Sequence, residues 1–327
     1  MEAVEGEGET LPPSAGAQFL QKSRMSRPVF GVTSMPQADA PDLAVIIPHY
    51  NDLERLARCL DALAPQLAAA AGAVEAVVAD NASPGDVAGL VARHPGLRLV
   101  TEPRKGAAAA RNRGVAETRA PRLAFLDCDC VPAADWLDAA RRLAGSAGVI
   151  GGRIDTFDET PPPRSGAEAF EAVFAFDQRR YIERKGFSVT ANLLTTRAVF
   201  EDVGPLIVGL SEDIEWCLRA TAKGHALIYA EDLRVRHPTR QDWPAIERKW
   251  RRTTAEMFQL HGTRPARRLL WALRAGAVFA SGPVHLPRVA RAPALSDAGE
   301  RWRAAAMLLR LRATRAVWML GQAWRGH

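Results

Sequence analysis

Leu123-Ala124-Phe125-Leu126-Asp127-Cys128-Asp129 is the stretch that decides the fold of this 327-residue chain. Its first four residues are apolar, as in a buried strand, and two carboxylates follow at the strand end. If the strand covers residues 123–127, alternation of its side chains places Asp127 and Asp129 on one face and Cys128 on the other. The stretch therefore predicts a buried strand that presents two acids at its carboxyl end.

Three earlier runs have the same character. Residues 43–47 form a β-branched apolar run, 74–79 form a second, and 97–101 form a third. Helical patterns separate them: Asn51-Asp52 can cap a helix, and a further helix is expected at about 107–118. Strands that alternate with helices predict a mainly parallel sheet sandwiched by helices.

Polar side chains occur where three of these strands end. They belong to Pro48-His49-Tyr50, Asp80-Asn81 and Asp127-Cys128-Asp129. In parallel sheets, ligands bind beyond the carboxyl ends of the strands. The sequence therefore predicts a binding site at this edge of the sheet.

The flanking regions differ in composition. Residues 1–40 are rich in Gly, Pro, Ser, Ala and Glu, and their early acids are unlike a secretory signal, so we expect a disordered leader. A helix is expected over residues 167–183, and the pattern is helical from Trp243 onward. These shifts predict a leader at 1–40, an α/β domain at 41–240 and a basic helical extension at 241–327.

Charge is concentrated near the carboxyl terminus. The chain has 43 Lys and Arg against 37 Asp and Glu, a net charge of +6 that does not by itself indicate nucleic acid, and no nucleic-acid partner is expected. Residues 264–327 contain twelve arginines but only two acids, Asp297 and Glu300. This region either meets an anionic surface such as lipid headgroups or forms a solvated pair of Arg-rich helices.

Membrane spans and disulfides are not expected. No uninterrupted apolar run reaches the roughly 18 residues that cross a bilayer. The four cysteines show no CxxC pair, which favours reduced thiols. We therefore expect a cytoplasmic protein that is soluble or peripheral on the inner face of the membrane.

Asp127 and Asp129 are candidate metal ligands. Two carboxylates at this spacing can share a divalent cation, or one can hold the cation and the other a sugar hydroxyl. Oxygen ligands suit Mg²⁺ or Mn²⁺, and such a cation would neutralise a departing diphosphate. The alternative is a pair of solvated loop acids.

Ser211-Glu212-Asp213 opens a second candidate site. Ser211 can cap a helix with both acids in its first turn, and capping alone would explain them. The other interpretation is a general base that removes a proton from an acceptor hydroxyl. Spacing alone leaves both interpretations open.

Two further features carry weaker signals. Arg104-Lys105-Gly106 and Arg111 place cations at a helix start, where they either meet phosphates or reflect an Arg-rich helix. His237 is either a structural histidine or a ligand. No phosphate-loop, dinucleotide-binding, GxSxG or HExxH motif is found, so the usual support for kinases, dehydrogenases and hydrolases is missing.

Eight short motifs follow one another between Leu43 and His237. They are Val45-Ile46-Ile47-Pro48-His49-Tyr50-Asn51, Asp80-Asn81-Ala82-Ser83, Gly106 with Ala110-Arg111-Asn112 and Gly114, Phe125-Leu126-Asp127-Cys128-Asp129 through Trp136-Leu137, Thr190-Ala191-Asn192, Val203-Gly204, Glu212-Asp213 with Leu218-Arg219, and Gly224 with His237. In this order they resemble glycosyltransferase family 2. The resemblance covers about 195 residues and is specific as a set, although each motif alone is weak.

The resemblance implies the GT-A fold, also called the nucleotide-diphospho-sugar transferase fold, here with a C-terminal helical extension. It implies a donor site in which Pro48 and Tyr50 line the base pocket, Asp80 contacts the base, usually uracil, and Asp127 contacts ribose or metal. Arg111 is added to the donor site as a phosphate contact. Asp129 is implied as the metal ligand, with His237 as a further metal or diphosphate contact. Asp213 of the Glu212-Asp213 pair is implied as the catalytic base.

The resemblance also implies a reaction. A Mn²⁺- or Mg²⁺-dependent enzyme would transfer a sugar, with inversion, from a nucleotide-sugar donor (a UDP-sugar) to a saccharide or lipid-linked acceptor, in cell-surface polysaccharide or glycolipid synthesis. Cys130 stands where many relatives carry a third acid, and residues 247–250 lack the Gln-x-x-Arg-Trp of polymer-making members. These departures favour single transfers over processive synthesis.

Two other functions are compatible with paired carboxylates beside such a sheet. A nucleotidyltransferase would need a Gly-rich, Arg-containing loop after the first strand, where this chain has Pro48-His49-Tyr50-Asn51-Asp52. A non-catalytic nucleotide-sugar-binding protein would lack the base or the metal ligands.

Overall fold

A single sheet of eight strands lies at the centre of the protein. The computed structural model describes residues 40–70 and 72–326, and in these residues the strand order is β3-β2-β1-β4-β7-β6-β8-β5. The strands are β1 (Leu43–His49), β2 (Val74–Asp80), β3 (Leu97–Thr101), β4 (Arg122–Leu126), β5 (Val131–Pro132), β6 (Val149–Phe157), β7 (Asn192–Thr196) and β8 (Leu227–Pro238).

The first half of the sheet is parallel. β1 pairs with β2 on one side and β4 on the other, and β2 pairs with β3, all in parallel register. All residues of β1 are buried, because helices cover both faces of a parallel sheet and its central strands lie in the interior. The four strands expected from the apolar runs are confirmed, with β1 extending to His49 and β4 starting at Arg122.

The second half of the sheet is mixed. β7 runs antiparallel to β4 and β6, β8 runs parallel to β6, and a register shift follows Gly152. Asn192 stabilises this irregular region because its side chain accepts from the Trp136 indole at 2.9 Å and donates to the Leu233 carbonyl at 2.8 Å. A Cβ at Gly152 would collide with the Asn192 amide, so this close approach requires glycine.

Helices cover both faces. They are α1 (Leu53–Ala69), α2 (Val87–Ala92), α3 (Ala107–Ala116), α4 (Trp136–Leu143), α5 (Gly166–Phe174), α6 (Gln178–Lys185), α7 (Arg197–Val203), α8 (Glu212–Ala222), α9 (Trp243–His261), α10 (Pro265–Val284), α11 (Leu286–Ala290) and α12 (Ala298–Arg325). One hydrophobic cluster joins the sheet to α1, α2 and α4, and a second joins it to α3, α7 and α8. The expected sandwich is confirmed.

The C-terminal helices pack on the rest of the protein through α5. A third cluster joins Phe170 of α5 to Ile246 of α9 and Leu308 of α12, and a fourth lies between α9, α10 and α12 around Trp271. The expected helical extension is therefore present. Its assignment as a separate unit from residue 241 stays a prediction, and the expected leader at 1–40 lies, except for residue 40, outside the described residues.

The single helix expected over residues 167–183 is wrong. The chain forms α5 and α6 instead, and Phe176 between them has a left-handed φ of 47°. Local chemistry explains both ends: Ser165 and Glu168 form a capping box at the start of α5, and Gly186 ends α6 with a φ of 71°. The break matters because α6 is then a separate helix that packs against β6 and β8.

The sequence has no uninterrupted apolar run of roughly 18 residues, but one arginine-containing segment still passes a test for membrane spans. Among the described residues, Pro265–Ala290 passes that test by length and composition, with a mean hydropathy of 1.2. Only 17% of its most apolar window is buried inside the protein. A single such helix is weak evidence of a membrane span, since helices of soluble proteins can pass the same test.

Candidate active site

One large cavity opens at the carboxyl edge of the sheet. Its volume is about 1170 Å³, more than the roughly 300–1,000 Å³ of pockets for one small molecule. Its walls include eight of the nine residues singled out from the sequence, namely Pro48, Tyr50, Arg111, Asp127, Asp129, Glu212, Asp213 and His237. The ninth, Asp80, is buried and pairs with His49, which lines the cavity.

Asp127, Cys128 and Asp129 form a turn and not the end of a strand. β4 ends at Leu126, and the Cys130 N–H donates to the Asp127 carbonyl at 3.0 Å. The alternation argument is therefore wrong, and Cys128 lines the cavity together with both acids. The turn directs the two carboxylates to different partners.

Arg111 connects two of the acids. From the buried side of α3, its guanidinium donates to Asp127 at 2.5 Å and to Glu212 at 3.0 Å. The arginine is 4% exposed. A buried cation between two carboxylates cancels part of their repulsion and fixes both side chains. Arg111 thus joins the turn after β4 to the first turn of α8.

Asp129 faces His237 of β8. The Nε2 atom of His237 lies 3.1 Å from Asp129, while its Nδ1 lies 2.7 Å from the Pro238 carbonyl. Because a carbonyl only accepts, Nδ1 donates the proton of that hydrogen bond, and Nε2 is the ring nitrogen that faces Asp129. Metal-binding histidines are oriented by such a second hydrogen bond.

The Asp129–His237 pair fits a divalent cation. The Oδ1 atom of Asp129 is buried and has no hydrogen-bond partner in the described residues, so the carboxylate has unused acceptor capacity. No group of three or more His, Cys, Asp or Glu side chains suited to a metal occurs among residues 40–70 and 72–326. Two protein donors are sufficient for Mg²⁺-type sites, which take further oxygens from phosphates and water.

Asp80 supports the loop after β1. It pairs with His49 Nδ1 at 2.9 Å and accepts from the Ser83 hydroxyl at 2.5 Å. Burial would raise the pKa of Asp80, but the hydrogen bonds from Ser83 and His49 outweigh it, and the pKa lies below the usual value. Its expected contact with a nucleotide base stays a prediction. Both His49 and Ser83 already occupy its carboxylate.

Asp213 is a cavity-lining aspartate whose pKa is raised, whereas the pKa of Asp129 is lowered. Asp213 accepts from the Thr190 hydroxyl at 2.6 Å and the Thr190 N–H at 3.2 Å. Burial, opposed by the charge of Arg111 and reinforced by the charge of Glu212, raises the pKa of Asp213 to about 6. A carboxylate of this kind is a stronger base than ordinary aspartate.

Helix capping does not account for the Ser211-Glu212-Asp213 motif. Ser211 occupies the N-cap position of α8 without a side-chain cap hydrogen bond, and its hydroxyl donates to Glu256 of α9 at 3.3 Å. Glu212 and Asp213 are engaged by Arg111 and Thr190. Both acids therefore have tertiary partners in the cavity wall, beyond any favourable interaction with the helix dipole.

Sequence reasoning missed several residues of the site. Asn81 was visible only as a polar residue at a strand end, yet its side chain donates to the carbonyls of Glu102 and Arg104 and accepts from the Gly106 N–H at 2.7 Å. Glu256 lies in α9, where no motif marks it. Of the expected phosphate cations, Lys105 lines the cavity, whereas Arg104 pairs with Glu102.

The arrangement is suited to transfer chemistry. One wall carries Asp129 and His237, a second carries Asp213 with its raised pKa, and Arg111 joins Asp127 to Glu212. The loop after β1 adds Tyr50, which is 56% exposed and available for stacking. A donor with a charged leaving group and an acceptor hydroxyl can be accommodated side by side in a cavity of this size.

Comparison with known proteins gives a consistent result. A family model described as Glycosyl transferase family 2 matches residues 44–204. The chain is 31% identical over 223 residues to Glycosyltransferase AglE of Haloferax volcanii, covering 64% of this chain and 71% of that protein. It is 27% identical over 221 residues to the Pre-mycofactocin glycosyltransferase of Mycobacterium tuberculosis, covering 62% of this chain but 45% of that protein.

A solved structure agrees in fold. The mannosyltransferase PcManGT from Pyrobaculum calidifontis, in complex with GDP-Man and Mn²⁺, superposes with a TM-score of 0.51 at 18% identity, covering 88% of this chain and 74% of that one. The likeness supports a GT-A architecture around the curled eight-stranded sheet. Taken with the matched family model and the relatives, it shows that this chain is a glycosyltransferase and belongs to glycosyltransferase family 2.

Proposed function

We propose that this chain transfers a sugar from a nucleoside diphosphate sugar to an acceptor hydroxyl, with inversion, using Asp213 as the general base. The observation that carries the proposal is the environment of Asp213, a carboxylate with a raised pKa in the same cavity wall as Arg111 and Glu212. In a single displacement the base takes the proton of the attacking hydroxyl while the diphosphate leaves from the opposite face of the sugar. Glu212, held by Arg111, acts as a positioning residue.

The donor is assigned to the walls formed by β1, β2 and β4. Pro48 and Tyr50 would flank the base, Asp80 would hold their loop or reach the base, and Asp127 and Arg111 would meet ribose and phosphate. A UDP-sugar is our expected donor. This assignment is supported by the position of the polar strand ends on the cavity.

Asp129 and His237 would hold Mn²⁺ or Mg²⁺. A cation bound there would stabilise the negative charge of the departing diphosphate. The unused Oδ1 of Asp129 and the orientation of His237 by the Pro238 carbonyl support this choice. Because the carboxylate of Asp127 is taken by Arg111, Asp127 is the weaker candidate for a direct metal contact.

The test of the base is Asp213→Asn, which preserves shape and removes basicity. Release of UDP from UDP-sugars, with water as acceptor, should slow by about 10²–10⁴-fold, while UDP affinity should barely change. The matched control is Glu256→Gln, because Glu256 lines the same cavity and burial also raises its pKa. A larger loss in the Glu256 variant would transfer the role of base to that residue.

The test of the donor site is independent of turnover. Thermal unfolding is followed with UDP, GDP, dTDP or CMP, each with Mn²⁺ or EDTA. A Mn²⁺-dependent rise in Tm with UDP, lost in Asp129→Asn and reduced in His237→Gln, is expected, because a ligand that binds only the folded state raises its stability. Equal effects in EDTA and in Mn²⁺ would exclude these two residues as metal ligands.

We further propose that the enzyme works on a saccharide or lipid-linked acceptor in cell-surface polysaccharide or glycolipid synthesis, on the cytoplasmic face of a membrane. Exposed apolar residues support this: Leu269, Leu270 and Leu273 on α10, and Trp302, Leu309, Val317, Leu320 and Trp324 on α12. On α12 they recur at helical spacing along one stripe. The two helices pack together, with Arg268 donating to the Ala323 carbonyl at 2.6 Å, and arginines flank the stripes.

Flotation of the full chain with vesicles tests this surface. Phosphatidylglycerol vesicles should carry the wild type, and pure phosphatidylcholine vesicles should carry less of it, since basic segments prefer anionic lipid. Leu273→Glu, at a side chain 65% exposed, should reduce flotation, and Ile228→Glu, on β8 at 38% exposed, should not. Equal flotation of both variants would remove the surface from consideration.

A further inference from the structure

Six cations line the part of the cavity formed by α6 and the C-terminal helices. We call them the cationic cluster; they are Arg180, Lys185, Arg274, Arg288, Arg312 and Arg315. They come from α6, α10, α11 and α12, elements that contribute none of the residues assigned to the donor. His285, between α10 and α11, lines the same region.

The cluster has little compensating negative charge. Within residues 40–70 and 72–326, none of its six members forms an ion pair, although most other cations that line the cavity do, such as Arg111 with Asp127 and Lys249 with Glu171. Asp177 also lines the cavity, but its carboxylate accepts from the backbone N–H of Arg180 at the start of α6. Arg180, Lys185, Arg274 and Arg288 are exposed at the cavity surface, whereas Arg312 and Arg315 are partly buried. A partly buried cation without a counter-charge is costly in a free protein, so these two are the informative members.

Aromatic rings hold several of these cations in place. Arg315 lies over Trp250 at 4.2 Å, Arg288 over Phe174 at 5.0 Å, and Lys185 over Tyr181 at 4.9 Å, each measured to the ring centroid. A ring face attracts a cation without cancelling its charge. The side chains are therefore positioned while their charge stays available to a ligand.

Hydrogen-bonding capacity is left over as well. The Nε of Arg312 and the Nδ1 of His285 are buried and have no partner within the part of the chain that the structure describes. Burial, together with repulsion from Arg312 and Arg274, lowers the pKa of Arg315 to about 9. Burial and neighbouring arginines also lower the pKa of Lys185. These groups repel one another in the absence of an anion.

We propose that the cationic cluster binds a phosphate group carried by the acceptor. The inference rests on the proposed function, since it names the chemistry of the second substrate in the same cavity. A phosphate offers several acceptor oxygens and up to two negative charges, which match guanidinium donors that have no carboxylate. Its source is either a lipid phosphate, whose chain would follow apolar lining residues such as Phe174 and Val278, or a soluble phosphorylated acceptor.

The rival occupant is the diphosphate of the donor. It is disfavoured because the Asp129–His237 pair, Arg111 and Lys105 all lie with the elements from β1 to β4 and with β8, whereas the cluster is built from α6 and α10–α12. The two sites also differ in kind, since one combines carboxylates with a cation site and the other is purely cationic. Variants in the cluster should separate them.

The experiment measures thermal stabilisation of the full chain by inorganic phosphate in EDTA, against sodium chloride at equal ionic strength. Phosphate should raise the Tm of the wild type. Arg312→Gln, and independently Lys185→Gln from a different helix, should weaken apparent phosphate affinity about tenfold or more, as expected for losing a charged hydrogen bond. The control Arg325→Gln removes an exposed arginine from the same helix as Arg312, outside the cavity, and should behave as wild type.

Two further readouts make the result specific. Arg312→Gln should have a higher Tm than wild type without phosphate, because it relieves repulsion, and a purely structural arginine would give a lower Tm. Hexyl phosphate and methyl phosphate, with hexanol as the control for the chain, distinguish the sources: tighter binding of hexyl phosphate indicates a lipid, and equal binding indicates a soluble acceptor. UDP with Mn²⁺ should stabilise wild type and cluster variants equally.

Failure can be assigned to one proposal or the other. If phosphate stabilises no better than chloride, or stabilises the cluster variants as well as the wild type, the phosphate site is overturned while the donor assignment stands. If UDP with Mn²⁺ has no effect on the wild type but phosphate acts through the cluster, the donor assignment fails and the anion site remains.

Discussion

Charged side chains are arranged in opposite ways in two parts of the cavity. Around α3, the turn after β4 and α8, the charged side chains have polar partners: Arg111 meets Asp127 and Glu212, Asp129 meets His237, and Asp213 accepts from Thr190. In the cationic cluster, arginines and a lysine face one another instead. The side chains of the first region already hold one another in place, whereas those of the second lack a counter-charge. Under the proposed assignment, the donor site is fixed in advance and the acceptor site is neutralised on binding.

The largest effect on stability is expected when Arg111, the shared cation of the first region, is removed. Arg111→Gln leaves Asp127, Glu212 and Asp213 without their shared cation in a buried setting, and the free energy of unfolding should fall by about 3–5 kcal/mol. Urea denaturation at pH 7.5 measures it, with an unchanged m-value as the check on two-state behaviour. A loss below about 1 kcal/mol would mean that protonation of an acid replaces the arginine.

The next largest effect is expected in the pH dependence of turnover, which tests the environment of Asp213 in the first region. Because Asp213 has to be ionised to accept a proton and its pKa is raised to about 6, kcat/KM should fall about tenfold per pH unit below that value and level off above it. The initial rate of UDP release between pH 4.5 and 8 tests this. A flat profile down to pH 4.5 would show that Asp213 titrates as an ordinary aspartate.

The raised pKa of Asp213 should also affect the stability of the fold, with a pH dependence opposite to that of turnover. A carboxyl whose pKa is raised on folding stabilises the fold below its unfolded value, near 3.8, and loses that contribution as pH rises through about 6. Asp213→Asn should therefore be more stable than wild type at pH 8, by about 1–3 kcal/mol, with the gain vanishing near pH 4. Urea unfolding curves of both proteins at both pH values measure this gain. An equal difference in the free energy of unfolding at the two pH values would assign the effect to packing.

The smallest effect is expected at Arg104. Its partner Glu102 is buried, but the arginine side chain is 75% exposed, and exposed ion pairs contribute little. Arg104→Gln should leave the thermal midpoint and nucleotide binding nearly unchanged. This variant is the matched control for Arg111→Gln, because the two arginines lie in one segment and differ chiefly in burial. A large fall in the thermal midpoint would show that stability depends on the number of ion pairs and not on the burial of the arginine.

Much of the fold follows from local pattern. The strands β1 to β4 are apolar runs whose burial requires little information from elsewhere in the chain, and Asp52 caps α1 as its position suggests. The residues at the strand ends gather in one cavity because parallel strands finish at one edge. Pro48, Tyr50, Asp127 and Asp129 line it for that reason. Another four of the nine chosen residues reach it from α3, α8 and β8, and all individual roles stay proposals.

Other features depend on contacts that sequence spacing does not encode. The turn at Asp127–Asp129 arises because β4 ends one residue earlier than expected. The break at Phe176 arises from a left-handed backbone at a residue that is not glycine, so the sequence gives no signal for it. Arg111 and Glu212 are 101 positions apart, and Lys185 and Arg312 are farther still. A cluster of like charges is also hard to predict from sequence patterns, because such predictions assume that neighbouring charges are of opposite sign.

A consequence of the Asn81 side chain concerns how this protein would age. One amide donates two hydrogen bonds to the carbonyls of Glu102 and Arg104 and accepts one from Gly106, so three segments of backbone depend on a single group. Deamidation to aspartate would keep the acceptor but turn the donor into an oxygen that faces two carbonyl oxygens. The loop after β3, the start of α3 and the end of β2 would then loosen together, and a preparation that loses nucleotide binding on storage should be inspected first for a mass gain at this residue.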